Sequence, residues 1–237
     1  LLINFGEQMK NEDRMNISFI YLDFPFWRAE IGKIALFMGG IDFENRVITR
    51  EEFERVKNEG CLDDGTVIPF HQFPCLVIDK QPIAQTGGIA RFCGKLSGMY
   101  PKDDHILAAH IDQFIDFATD ITVLVNNCGA GQGAEAKIAL RKKLVAGDLA
   151  RKLKILEKNL NEGEEWIIGA KIGLPDIAIW RLMGWLSSGT MDGIPTDLLK
   201  DFPKVLKICC AVDNHQKIKE WVKQTYPEDY ARGNFIL

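Results

Sequence analysis

Apolar positions along the chain change period near residue 105. Before that point the signal comes in short runs. Residues 17–22, Ile-Ser-Phe-Ile-Tyr-Leu, are rich in β-branched and aromatic side chains and predict a strand. The segment 23–27 breaks it. A helix is expected from about Arg28 to the pair Gly39-Gly40, with Ala29, Ile31, Ile34, Ala35 and Met38 on its apolar face. A second strand is expected over 43–49, a charged helix over 50–57 and a loop over 59–66. Cys75-Leu76-Val77-Ile78 predicts a buried strand, and Pro74, which has no N–H to give to a ladder, suits its entry. Asp79-Lys80 reads as a tight turn and Gln81-Pro82-Ile83 as a return strand. A helix then starts near Gly87-Gly88-Ile89-Ala90-Arg91-Phe92.

After the polar stretch 96–104 the period becomes helical. Leu107, Ile111, Phe114, Ala118, Ile121 and Val125 recur at helix spacing. A glycine-rich turn over 126–133 leads to one long helix over 134–161, with Leu149, Leu153, Leu156 and Leu160 on one face. Residues 175–186 are nearly all apolar and predict a helix buried on most sides. Two more helices are expected around 198–212 and 216–225. The tail 227–237 is expected either to lack order or to fold over the site. Gly173-Leu174-Pro175-Asp176 reads as a capping box, with Asp176 reaching back and Ile172 and Ile177 as its staple. The resulting division is an N-terminal extension over 1–16, an α/β domain over 17–97, a linker over 98–104 and an all-helical domain over 105–237. The first domain's order, strand–helix–strand–helix–strand–strand–helix, suits a thioredoxin-like sheet.

Composition narrows the partners. A net charge of −4 over 237 residues gives no argument for nucleic acid or an anionic membrane surface, and neither is expected as a partner. The apolar runs are far shorter than a membrane span, and the first fourteen residues lack the pattern of a signal peptide. The six cysteines form no Cys-x-x-Cys pair and no disulfide framework, and the four histidines have no metal-ligand spacing. A cytoplasmic protein without a structural metal is expected.

The candidate chemistry lies in residues 69–92. A helix start offers unpaired N–H groups and the positive end of the dipole, and so suits a carboxylate. Thr86 adds a hydroxyl there, and Gly87 and Gly88 permit close approach. Gln72 and Phe73 precede Pro74 and offer backbone groups to an extended peptide. The plainer alternatives are that Thr86 only caps the helix and Pro74 only opens a strand.

Together these residues resemble the glutathione-binding half of the cytosolic glutathione S-transferases. That family has a phenylalanine-glycine-x-x-proline-x-leucine segment with a cis proline, followed by a glutamine-serine pair. Here the segment reads Phe70-His71-Gln72-Phe73-Pro74-Cys75-Leu76, with His71 at the usual glycine, and the pair reads Gln85-Thr86. Ile89-Ala90-Arg91-Phe92 is similar to the family's isoleucine-alanine-arginine-tyrosine. The spacing is closest to the sigma class.

The resemblance implies a thioredoxin-like domain followed by a helical bundle, assembled as a homodimer, and a detoxifying conjugation of glutathione to small apolar electrophiles. It implies that Tyr21 is the catalytic tyrosine, donating to the thiol sulfur, with Arg28 supporting it. A donor to the charged form lowers a thiol pKa from about 8.5. Gln72, Phe73, Pro74, Gln85 and Thr86 would hold the peptide. Lys57 would meet its glycyl carboxylate, and Phe53 stands where sigma enzymes have a tryptophan. Asp120, or Asp116 one turn earlier, would reach the γ-glutamyl amine across the dimer. The tyrosine-to-arginine spacing is one residue longer than in the family, and Pro25-Phe26-Trp27 replaces arginine-glycine, so Phe26 and Trp27 are expected to wall the electrophile pocket. A prostaglandin D synthase-like isomerase and a non-catalytic glutathione-binding relative remain the alternatives.

Overall fold

The computed structural model describes residues 15–236. Residues 1–14, which make up most of the expected extension, lie outside the described residues, as does Leu237. The chain divides into two compact units, one of residues 15–23 and 42–89 and one of residues 24–41 and 90–236.

The first unit is built on a four-stranded mixed sheet of order β2-β1-β3-β4: β1 (Ile17–Tyr21), β2 (Glu44–Val47), β3 (Cys75–Ile78) and β4 (Gln81–Ala84). β1 and β2 run parallel, with α1 (Trp27–Met38) between them in the chain, and the other two pairings are antiparallel. Asp79 and Lys80 both have positive φ (47° and 71°), as a two-residue hairpin of the primed type requires. Between β2 and β3 lies α2 (Arg50–Glu59). Its start is a full capping box. The Thr49 hydroxyl accepts from the Glu52 N–H at 3.2 Å, and the Thr49 N–H donates to the Glu52 carboxylate at 2.8 Å. Gly60 ends it in the left-handed region. Ile20, Ile48, Val56, Leu62, Ile68 and Cys75 form the core between sheet and helix, with Phe53 and Phe73 packed on it. α3 (Thr86–Ser97) follows the hairpin.

The second unit is helical. It contains α1, α4 (His105–Asn127), α5 (Ala134–Leu144), α6 (Ala150–Asn159), α7 (Leu174–Ser187), α8 (Pro203–Asn214) and α9 (Gln216–Thr225). α7 is central and packs on α1, α4 and α8, which explains its nearly continuous apolar sequence. Each large apolar side chain enclosed this way contributes about 1.5–3 kcal/mol. The box at its start is real but one-sided. Asp176 accepts from the Gly173 N–H and also from the Ile167 N–H, both at 2.8 Å, while glycine has no side chain to answer.

Two helix expectations need correction. The run over 134–161 is not one α-helix, because residues Val145–Leu149 form a π turn between α5 and α6. The helix expected from 198 begins at Pro203. Leu198–Asp201 is a separate 3-10 turn, and proline, with no N–H to donate, takes the first helical position. The tail after α9 has no regular structure, yet hydrogen bonds fix it, as described below.

Candidate functional site

The sheet registers bring the sequence candidates of the first unit together. Ile20 faces Cys75, and Cys75 faces Ala84. One residue further along each strand, Tyr21, Pro74 and Gln85 therefore share a row at one end of the sheet, with Val47 paired beside Tyr21. Tyr21 is 4% exposed. Strand alternation turns its side chain away from the Ile20 face that packs on α2. The Ile48 N–H donates to the Tyr21 carbonyl at 3.0 Å, fixing the strand end.

The same row carries the peptide-like segment. The Phe73–Pro74 bond is cis. Phe73 precedes the β3 ladder, and among the described residues neither its N–H nor its C=O is bonded to another backbone group. Gln72 is extended and exposed. Gln85 has φ +70°, left-handed for a non-glycine residue, and turns the chain from β4 into α3. Thr86 is 3% exposed, and its hydroxyl oxygen is buried without a hydrogen-bond partner. The plainer reading of Thr86 as a helix cap therefore does not hold, since a cap's oxygen accepts an N–H. A buried hydroxyl left unpaired costs about 1–3 kcal/mol.

Around this row the ring of Phe53 stacks on that of Phe73, with centroids 6.0 Å apart. The Lys57 ammonium lies 4.5 Å from the Phe53 ring centroid and pairs with Glu54 at 3.0 Å. Phe70 and His71 are both left-handed, at φ 60° and 51°. That conformation costs non-glycine residues roughly 1–2 kcal/mol each. The His71 Nδ1 lies 3.2 Å from the Lys57 carbonyl oxygen, and its ring fills the space that any Cβ on Gly60 would need. That contact ties the loop after Lys57 to the end of α2. Protein thiols are poorly placed to act as nucleophiles in the cores, because burial pushes Cys75 up to about 11 and Cys93 up to about 12. Among the described residues no cluster of His, Cys, Asp or Glu is arranged to hold a metal ion, and no helix is long and apolar enough to cross a membrane.

The remaining candidates belong to the helical unit. Arg28 is half-buried, with its guanidinium 5.3 Å from the Trp27 ring centroid. Asp120 is exposed and pairs with Lys152 at 3.3 Å, and Asp116 is exposed. Phe26 and Trp27, expected to wall an electrophile pocket, are both buried. Trp27 is wholly buried, and its indole N–H donates to the Thr122 hydroxyl at 2.7 Å. Phe26 is 8% exposed and meets Trp185 edge-on at 5.2 Å. The sequence reading missed Arg181. Its signal was there, as the one cation in the apolar run of α7.

Residues 120–225 match the family model described as the glutathione S-transferase C-terminal domain. The chain is 25% identical to glutathione S-transferase 1 of Ascaris suum over 202 residues, 83% of this chain and 90% of that protein. It is 24% identical to glutathione S-transferase A1 of Homo sapiens over 204 residues, 84% of this chain and 85% of that protein. In fold it is similar to the structure of prostaglandin synthase D of Nilaparvata lugens, with a TM-score of 0.74 at 19% identity, over 90% of this chain and 98% of that one.

Proposed function

We propose that this chain, which has the fold and the sequence relatives of the glutathione S-transferases, conjugates the thiolate of reduced glutathione to small apolar electrophiles. The observation that carries this reading is the row Tyr21–Pro74–Gln85 with the unpaired, buried Thr86 hydroxyl beside it. In this reading Tyr21 donates to the sulfur and favours the thiolate, and Arg28 adds positive charge. Phe73 pairs through its free N–H and C=O with the extended peptide, which Gln72 and Pro74 flank. Gln85 and Thr86 take a carboxylate at the start of α3, where backbone N–H groups are exposed. Lys57, packed over Phe53, serves the other carboxylate, and Asp120 the amine from a second protomer. The spacing from Tyr21 to Thr86 supports a sigma-class assignment.

A homodimer accords with Phe70, which stands 70% exposed on its loop. The free cysteines suit a reducing compartment such as the cytoplasm. One observation favours a second reading. The burial of Trp27 and Phe26 leaves less open wall for an electrophile, as a glutathione-binding protein without turnover would tolerate. Retention on immobilised glutathione, followed by an assay with a general aryl halide, tests both. Binding with conjugation supports the transferase, binding alone supports the second reading, and neither defeats both. A glutathione-dependent isomerase would leave glutathione unconsumed.

A further inference from the structure

The Arg181 guanidinium is 0% exposed. It has no carboxylate within ion-pair distance among the described residues. Its Nη1 donates to the Arg232 carbonyl at 2.9 Å. Its Nη2 donates to the Pro25 carbonyl at 3.0 Å and to the Tyr230 hydroxyl at 3.1 Å, while Nε is buried without a hydrogen-bond partner. The Tyr230 hydroxyl donates to the same Pro25 carbonyl at 2.8 Å. Both lone pairs of that carbonyl are thus used, one by α7 and one by the tail. The rings of Trp180, Tyr226 and Tyr230 lie 5.0, 5.5 and 5.6 Å from the guanidinium carbon. Carbonyl dipoles and aromatic faces therefore take the place of a counter-ion.

The tail has a built seat. The Arg232 side chain pairs with Asp213 at 2.9 Å, the Asn234 N–H donates to the Ser187 hydroxyl at 3.0 Å, and the Cys210 thiol donates to the Phe235 carbonyl at 3.2 Å. Tyr226 and Trp221 donate to the buried Glu30 carboxylate, each at 2.7 Å. Gly184 and Gly233 have no side chains at the point where the tail crosses α7. Pro25 stands between Tyr21 and Arg28 in the chain, and Trp27 beyond it is anchored to Thr122. The segment 24–27 is therefore held at its carbonyl by Arg181 and Tyr230, and at its end by α4.

We infer that Arg181 and Tyr230 are positioning residues that fix the segment 24–27, so that the C-terminal tail sets the conformation in which Arg28, proposed above to support catalysis, enters α1. The catalytic consequence rests on the function proposed above; the claim about the segment does not. Breaking a network around one buried cation leaves that charge uncompensated, which couples loop and tail.

The test uses full-length protein with ¹⁵N-labelled tryptophan, with the Trp27 indole resonance assigned by Trp27→Phe. Tyr230→Phe keeps the ring and removes one donor to Pro25. A second variant lacks residues 227–237. Tyr230→Phe is expected to speed exchange of the Trp27 indole N–H by roughly fivefold, the equivalent of one ordinary hydrogen bond. It is expected to lower kcat with an aryl halide by a similar factor, leaving KM for glutathione within about twofold. The shortened chain is expected to exceed both effects. Unchanged exchange in both variants would overturn the inference, and so would faster exchange with unchanged kcat. Exchange is read without glutathione, so a wild-type protein without turnover would defeat the transferase reading alone, and exchange would then decide the claim about the segment.

Discussion

Gly184 of α7 lies directly against the carbonyl of Arg232, closer than any Cβ would permit. Replacing an interior helix glycine by alanine ordinarily stabilises a helix by about 1 kcal/mol. Here the new methyl meets backbone, and it also meets the Arg181 guanidinium. Gly184→Ala is therefore expected to destabilise by about 1–3 kcal/mol, the usual cost of overpacking, read from the denaturant midpoint. The sign is the informative part. A midpoint that rises would mean that the tail does not rest on α7.

Thr86→Val separates binding from folding. The substitution keeps the shape and removes a buried hydroxyl that has no partner in the free protein. Stability is expected to stay level or to rise slightly, because a desolvated polar group is lost. Glutathione affinity is expected to fall about tenfold, the value of a hydrogen bond to a charged group. Equilibrium titration beside a thermal melt reads both. Loss of stability with unchanged affinity would assign Thr86 to the fold.

Asp176 gives the protein a pH dependence of definite sign. Burial holds its carboxyl up to about 7 from an ordinary 3.8, against the opposing pull of the Ile167 and Gly173 N–H donors. Between those values the native state keeps a proton that the unfolded chain has lost. This contribution is full below about pH 4 and is lost as pH rises through about 7. Asp176→Asn offers one acceptor oxygen to two N–H groups and is expected to cost about 1–3 kcal/mol at low pH. The wild-type advantage over this variant should shrink from pH 5 to pH 8. An advantage that grows across that range would show the carboxylate to be the stabilising form.

What the sequence made legible was local. The alternation over 17–22, the Asp79-Lys80 turn and the apolar run at 75–78 each follow from side chains a few residues apart. They suffice to place Tyr21, Pro74 and Gln85 in one row once the strands pair. The capping interaction of Asp176 was readable for the same reason. What escaped depends on distant partners. Trp27 is enclosed, with its indole donating to Thr122, 95 residues away, and an aromatic two residues after a proline gives no sign of that. The Pro25 carbonyl meets Tyr230 across 205 residues. The π turn at Val145–Leu149 is invisible to a leucine pattern that continues through it in nearly helical phase. The place of Thr86 at a helix start suits both a ligand-holding hydroxyl and a cap, and that its oxygen is unpaired is visible only in the structure.

In the proposed function, Tyr21 stabilises a thiolate held at this end of the sheet. The most direct measurement is an ultraviolet titration of the thiol of bound glutathione in the native protein and in Tyr21→Phe. A thiol pKa depressed by about one to two units, from near 8.5, is expected in the native protein, with a return toward the solution value in the variant. A bound thiol with no depression, or a depression that survives the loss of the Tyr21 hydroxyl, would contradict it.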